Sequence, residues 1–104
     1  MKSLKDKLLY GLAAIDGVEV RASRVAGGIA LFFGGKEFAH FHGDNELDLR
    51  LGKRLIKSLG LAHPLDSEQH AGRSPNSPWI ELRFESDRDV AQTVEMVRRA
   101  VQAL

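Results

Sequence analysis

The stretch IALFFGGKEFAHFHGD, residues 29–44, decides the fold because it has the pattern of a β-hairpin. Two runs rich in strand-forming residues, IALFF and KEFAHFH, flank Gly34-Gly35. A pair of glycines tolerates the positive φ angles of a tight two-residue turn. The register that follows from this turn has three pairs: Phe33 with Lys36, Leu31 with Phe38 and Ile29 with His40. The sequence therefore predicts a central antiparallel hairpin.

Two histidines lie one residue apart in the second strand of this hairpin. Side chains alternate between the two faces of a strand, which puts His40 and His42 on one face with Phe38. Ala39 and Phe41 are then on the other face. The Cα atoms of the two histidines should lie about 6.6 to 6.8 Å apart, twice the rise per residue. At this separation two imidazole rings can converge on one ion or ligand.

The remaining hydrophobic pattern places helices and strands around the hairpin. Apolar residues at helical spacing predict helices over residues 3–15 and 52–59, and a third from Ser86 to the end of the chain. Period-2 alternation predicts strands at 17–25 and 79–85. The predicted order is α-β-β-β-α-β-α, which is typical of an α+β fold: a mostly antiparallel sheet with a central hairpin, packed by helices.

The composition is that of one soluble globular domain covering residues 1–104. Hydrophobic residues make up 43% and charged residues 28%, and there is no cysteine, which excludes thiolate chemistry. The formal net charge is +1, so no strong field attracts nucleic acid. No apolar run approaches the roughly 20 residues of a membrane span. We therefore expect a cytoplasmic protein with neither a nucleic acid nor a membrane as its partner.

No motif of a familiar enzyme class is present. The glycine pairs join or precede strands, whereas a phosphate-binding loop opens a helix. GxSxG and HExxH are absent. The reaction, if there is one, and any cofactor are therefore left open by the sequence.

The histidines and nearby aspartates support two functional interpretations. As metal ligands, His40, His42 and Asp44 would act together with a histidine from the predicted loop over residues 63–78. As catalytic candidates, His40 or His42 would transfer a proton, with Asp44 or Asp48 orienting the ring. The structural alternatives are that Asp44 serves only its turn and that the histidines fill the edge of the core.

Trp79 falls on the strand face opposite Ile80, Leu82 and Phe84. It therefore either covers a helix on the second face of the sheet or lines a pocket together with the loop before it.

Five segments of the sequence form a set that is characteristic when taken together: GVEV (17–20), EFAHFHGD (37–44), LDLRL (47–51), KRLIKSLGLA (53–62) and SPWIELRF (77–84). This set resembles the luciferase-domain family, a group of small bacterial and fungal proteins, most of them without an assigned activity. A typical family core reads Gly-His-x-His-Gly-Asp, then Asp-Leu before a helix, a later histidine, and Ser-Gly-Trp. Ala39 stands in place of the first glycine, and Pro78 in place of the glycine before the tryptophan.

The resemblance implies a site made of His40, His42, Asp44 and Asp48. It adds a ligand-binding histidine, His63 or His70, and places Trp79 beside them. His63 is preferred because it closely follows the end of the second predicted helix.

Two hypotheses about function follow. The first is a pocket rich in histidine and aspartate that binds a small organic or metal ligand. The second is a non-catalytic interaction or regulatory module that forms a homodimer through an apolar sheet face and has structural histidines. Luminescence is not expected, because it would require a specific luciferin.

Overall fold

A computed structural model describes residues 3–23, 28–62 and 77–104. This part of the chain contains three helices and five strands. In chain order they are α1 (Leu4–Ala13), β1 (Val18–Ala22), β2 (Ile29–Phe33), β3 (Lys36–His42), β4 (Glu46–Arg50), α2 (Lys53–Ser58), β5 (Trp79–Arg83) and α3 (Asp87–Gln102).

The five strands form one antiparallel sheet in the order β1-β2-β3-β4-β5. Each strand pairs with its neighbours in the sequence. The predicted α+β class, the single compact domain, the antiparallel sheet and the central hairpin are confirmed. The structure adds one strand to the predicted order, β4, in a segment for which the sequence pattern predicts neither a helix nor a strand. The side chains of Leu47 and Leu49 in this strand are fully buried in the core.

The hairpin has the predicted turn but not the predicted register. Phe33 pairs with Lys36 as expected, and both turn glycines have positive φ angles, 59° at Gly34 and 81° at Gly35. Further along, Phe32 pairs with Glu37 while Leu31 pairs with Ala39, so Phe38 is an extra residue in β3. Such a β-bulge offsets all later pairs by one residue. The predicted pairs of Leu31 with Phe38 and Ile29 with His40 are therefore wrong.

The bulge also changes the side of the sheet on which Phe38 is buried. Phe38 belongs to the hydrophobic core together with Ala39 and Phe41, and not to the face of the histidines as predicted. His40 and His42 do share the opposite face, as expected from alternation. The extra residue thus adds a buried aromatic ring to the core. His40 and His42 still lie on the face opposite the core.

One core lies between the sheet and the helices. All three helices contribute to it, and α1 contacts α3 and β1 while α3 contacts β4. Its fully buried residues include Leu8, Leu12, Leu31, Leu47, Leu49, Ile80, Phe84 and Val97. The helices therefore cover one face of the sheet. The other face carries polar side chains together with the buried apolar residues Ala30 and Phe32 of β2.

The helices begin where the sequence predicts them. The hydroxyl of Ser3 accepts a hydrogen bond from the Asp6 amide at the start of α1, and Ser86 does the same for Asp89 in α3. None of the helices in the described parts of the chain is long and apolar enough to cross a membrane.

Candidate functional site

Polar side chains from β3, β4 and β5 form two rows across the face of the sheet opposite the helices. Residues that are directly opposite on neighbouring antiparallel strands have adjacent side chains. The register produces the rows His40–Asp48–Glu81 and His42–Glu46–Arg83. We call these six residues the polar rows. Their side chains are neighbours although they come from three separate segments of the sequence.

Two carboxylates of the polar rows are almost fully buried. Asp48 is 1% exposed and Glu81 is 3% exposed. They are directly opposite each other, an arrangement that is unfavourable for two like charges. A buried carboxylate is tolerated only when hydrogen bonds, cations or metal ions compensate for the water it has lost. The groups around Asp48 and Glu81 therefore show how these buried carboxylates are stabilised.

His40 lies between two carboxylates. Its Nε2 atom is 3.4 Å from Oδ2 of Asp48, and its Nδ1 atom is 3.5 Å from Oε2 of Glu37. The other oxygen of Glu37 accepts a hydrogen bond of 2.8 Å from the hydroxyl of Ser23 in the segment after β1. Side chains on both sides thus restrict the orientation of the imidazole ring.

Among the described residues, two aromatic rings lie close to the ring of His40. The centroid of its ring is 4.8 Å from that of His42, with the rings nearly perpendicular at 89°. The Trp79 ring lies on another side, with its centroid 5.4 Å away. Trp79 therefore lies beside His40 on the face of the sheet opposite the helices.

His40, His42 and Asp48 bring three potential ligand atoms together. One nitrogen of each ring and one carboxylate oxygen of Asp48 all lie within 4.8 Å of one another. Bonds of about 2.0 to 2.2 Å to a zinc ion would bring such atoms within about 4.4 Å of each other, so small rotations of the side chains suffice. Two imidazoles and one carboxylate are a common ligand set for transition metals.

Arg83 provides the permanent positive charge of the polar rows. Its Nη2 atom is 3.3 Å from Oε2 of Glu81, and its Nε atom is 3.4 Å from Oε1 of Glu46. The guanidinium thus bridges one carboxylate from each row.

The predicted site residues fall into three classes. His40, His42, Asp48 and Trp79 come together on the polar face. Asp44 lies in the turn between β3 and β4, is exposed, and is not part of the group of three ligand atoms. Its role as a ligand stays a prediction. His63 and His70 lie outside the described residues.

Glu37, Glu81 and Arg83 were not among the predicted site residues. Glu81 and Arg83 have a signal in the sequence, because alternation puts them on the same strand face as Trp79. Alternation puts Glu37 on the face opposite His40, and only the bulge at Phe38 brings these two side chains together. The predicted order of elements lacked β4. Without that strand, the sequence did not indicate that Glu81 and Arg83 of β5 lie on the same side of the sheet as the histidines of β3.

The comparisons with known proteins agree with the resemblance found in the sequence. A family model described as Luciferase domain matches residues 35–100, more than half of the chain. The matched region runs from the turn of the hairpin to the last helix and includes all of the polar rows. No curated protein and no solved structure matches the chain.

Proposed function

The chain belongs to the luciferase-domain family, and we propose that its function is to bind a divalent transition-metal ion on the polar face of the sheet. In this proposal His40, His42 and Asp48 are the protein ligands. The observation that carries the proposal is the convergence of their three ligand atoms within 4.8 Å.

The distance between His40 and Asp48 supports a shared ion. The separation of 3.4 Å between Nε2 and Oδ2 is longer than an ordinary hydrogen bond of about 2.7 to 3.2 Å. Two ligands at a tetrahedral angle on bonds of about 2.1 Å are roughly 3.4 Å apart. The spacing of these two atoms therefore suits the edge of a coordination tetrahedron.

Glu37 supports the same assignment from the other side of the ring. Metal-binding histidines usually direct their second ring nitrogen at a carboxylate or a carbonyl, which fixes the tautomer and makes the ligand more basic. With Nε2 directed at the metal position, Nδ1 of His40 faces Glu37 at 3.5 Å. Ser23 in turn holds Glu37 by a hydrogen bond, so the ligand ring has an anchored partner.

The charges of this face favour a cation. Among the described residues, the polar rows and Glu37 supply four carboxylates, and Arg83 is their one permanent cation. A divalent ion would reduce the repulsion between Asp48 and Glu81. Three protein ligands leave at least one coordination position for water or another small molecule. Such a metal could act as a Lewis acid toward a bound molecule.

Two observations favour this site over the alternative module. An interaction module predicts an exposed apolar sheet face and scattered histidines. The large apolar residues that are exposed in the described parts of the chain instead lie in four different segments: Tyr10, Val20, Leu59 and Leu104. The two described histidines are adjacent. The homodimer, the cytoplasmic location and the absence of a nucleic-acid partner stay predictions, and sedimentation velocity tests the first of them.

The experiment that tests the proposal is a titration of the wild-type protein with Zn²⁺, followed through the imidazole NMR signals. We expect the signals of His40 and His42 to change together and to stop changing at one equivalent. In a His42→Ala variant the remaining signal of His40 should respond only at about tenfold or higher metal concentration. A wild-type protein whose two signals ignore Zn²⁺, or a variant that binds it equally well, would refute the proposal.

A further inference from the structure

A second feature of the structure is a cavity of about 650 Å³ at the end of the sheet nearest the hairpin turn. Residues from four elements line it, including Phe33, Lys36, Glu37, Arg50 and Trp79, and Leu104 closes one side. Cavities that bind small molecules usually measure about 300 to 1,000 Å³. We propose that this cavity binds a small organic carboxylate with an apolar body.

The cavity exists because β3 is longer than the strand beside it. Pairing between β3 and β4 runs from Ala39 opposite Leu49 to His42 opposite Glu46. Lys36 and Glu37 precede this paired region, and neither β4 nor β5 extends to the level where they lie. Arg50 and Trp79, which are directly opposite each other, form the other rim of the space.

The charges of the cavity select an anion. Lys36 and Arg50 both line it and are exposed, and neither forms an ion pair within residues 3–23, 28–62 and 77–104. Glu37 is the acidic side chain of the lining, and its two oxygens face Ser23 and His40. A guanidinium and an ammonium group that face one space are suited to a carboxylate, which arginine binds through two parallel hydrogen bonds.

The apolar side chains that line the cavity favour a ligand that also has an apolar part. Phe33 and Trp79 contribute aromatic rings, and Leu104 contributes an aliphatic side chain that is 52% exposed. Covering such surfaces with an apolar group removes them from water and favours binding. A small inorganic anion would neutralise the two cations but would leave these walls exposed. The combination therefore favours an amphiphilic acid over phosphate.

The inference goes beyond the metal site and does not rest on it, because no histidine contributes to the binding of the carboxylate. The two sites are nevertheless neighbours. Trp79 lines the cavity and lies 5.4 Å from His40, measured between ring centroids. A ligand that packs on the cavity side of Trp79 would thus lie next to the proposed metal position.

Ligand binding in this cavity can be followed by the fluorescence of Trp79, because it is the single tryptophan of the chain. The experiment titrates the full chain with phenylbutyrate in buffer containing EDTA and records tryptophan fluorescence. Phenylbutanol, which has the same apolar body and no charge, is the matched ligand. We expect a saturable change with phenylbutyrate and binding about tenfold weaker with the alcohol, because a charge-assisted hydrogen bond is lost.

Charge-removing variants locate the binding site. Arg50→Gln and Lys36→Gln should each weaken the binding of phenylbutyrate about tenfold and leave that of phenylbutanol unchanged. Arg54→Gln and Lys53→Gln, on the exposed side of α2, are the matched controls and should bind phenylbutyrate as the wild type does. All four positions are exposed, so the variants should fold.

Several results would overturn the inference. They are no saturable change with phenylbutyrate, equal affinity for the alcohol, undiminished binding in both cavity variants, or tighter binding of inorganic phosphate than of phenylbutyrate. The His42→Ala variant separates this inference from the metal proposal. It should bind phenylbutyrate with wild-type affinity, while its response to Zn²⁺ in EDTA-free buffer tests the metal site alone.

Discussion

His40 on β3 lies directly opposite Asp48 on β4, and the Nε2 atom of the histidine is 3.4 Å from Oδ2 of the aspartate. The contact joins a partly exposed imidazole to a carboxylate that is only 1% exposed. Because cross-strand neighbours are held by the backbone of the sheet, this pair is preorganised before any ligand binds. Asp48, which is distant in the sequence, therefore lies next to the histidine pair of β3.

Replacing Asp48 should weaken metal binding, because the change removes one of the three proposed ligands while keeping the shape of the side chain. We expect the Asp48→Asn variant to bind Zn²⁺ about 10- to 100-fold more weakly than the wild type in isothermal titration calorimetry. Asp44→Asn is the matched control, since Asp44 is exposed in the turn after β3, and its affinity should stay within about twofold. Equal losses in both variants would mean that overall charge, and not coordination, governs binding.

A paramagnetic ion should report its position through Trp79. If Mn²⁺ binds between His40, His42 and Asp48, the indole N–H signal of Trp79 should broaden at sub-stoichiometric ion, because that ring lies beside His40. The methyl signals of Val97, which is buried in the core and belongs to α3, should broaden less at the same ion concentration. An indole signal that stays sharp while other residues broaden would place the ion elsewhere.

Removing the guanidinium of Arg83 should destabilise the fold. Its Nη2 atom is 3.3 Å from Oε2 of Glu81, whose side chain is 0% exposed, so the Arg83→Met variant leaves a buried carboxylate without this cation. We expect a loss of about 2 to 3 kcal/mol in the free energy of unfolding, measured in urea. The figure is below that for a fully buried pair because Arg83 is itself 27% exposed.

Two further variants test the reason for that loss. The double variant Glu81→Gln with Arg83→Met should recover part of the stability, because the buried negative charge that Arg83 faced is then gone as well. Arg98→Met removes an arginine from an exposed pair with Glu95 and should cost less than about 1 kcal/mol. If the Arg83 and Arg98 variants were equally stable, burial of Glu81 would not be the cause.

Two glycines with positive φ angles should differ in their tolerance of a side chain. At Gly34 a Cβ atom would meet nothing within 4 Å, so Gly34→Ala should cost only the backbone strain, about 1 kcal/mol. At Gly17 a Cβ atom would lie 2.7 Å from Cε2 of Phe33, so Gly17→Ala adds a steric overlap and should cost about 3 kcal/mol. Urea unfolding of the two variants measures the difference, and equal values would show that the Phe33 ring moves aside freely.

The hairpin shows how far local patterns reach. Gly34-Gly35 predicted the turn and alternation predicted that His40 and His42 share a face, and both are confirmed because each depends on residues close in the sequence. The predicted register was wrong from Phe38 onward, because the bulge gains a buried aromatic ring for the core. Burial of Phe38 depends on helices that are distant in the sequence. The alternation of residues along one strand therefore cannot predict it.

The sequence by itself determined the α+β class, the turn and the pairing of the two histidines on one face, because turn chemistry and hydrophobic period act over a few residues. Only the tertiary structure decided which carboxylates join them. β4 inserts between β3 and β5, and so brings Asp48 and Glu81 into line with His40. The lateral order and register of the strands depend on burying one face of the sheet against all three helices at once. The alignment of the polar rows on the other face is therefore a consequence of packing across the domain.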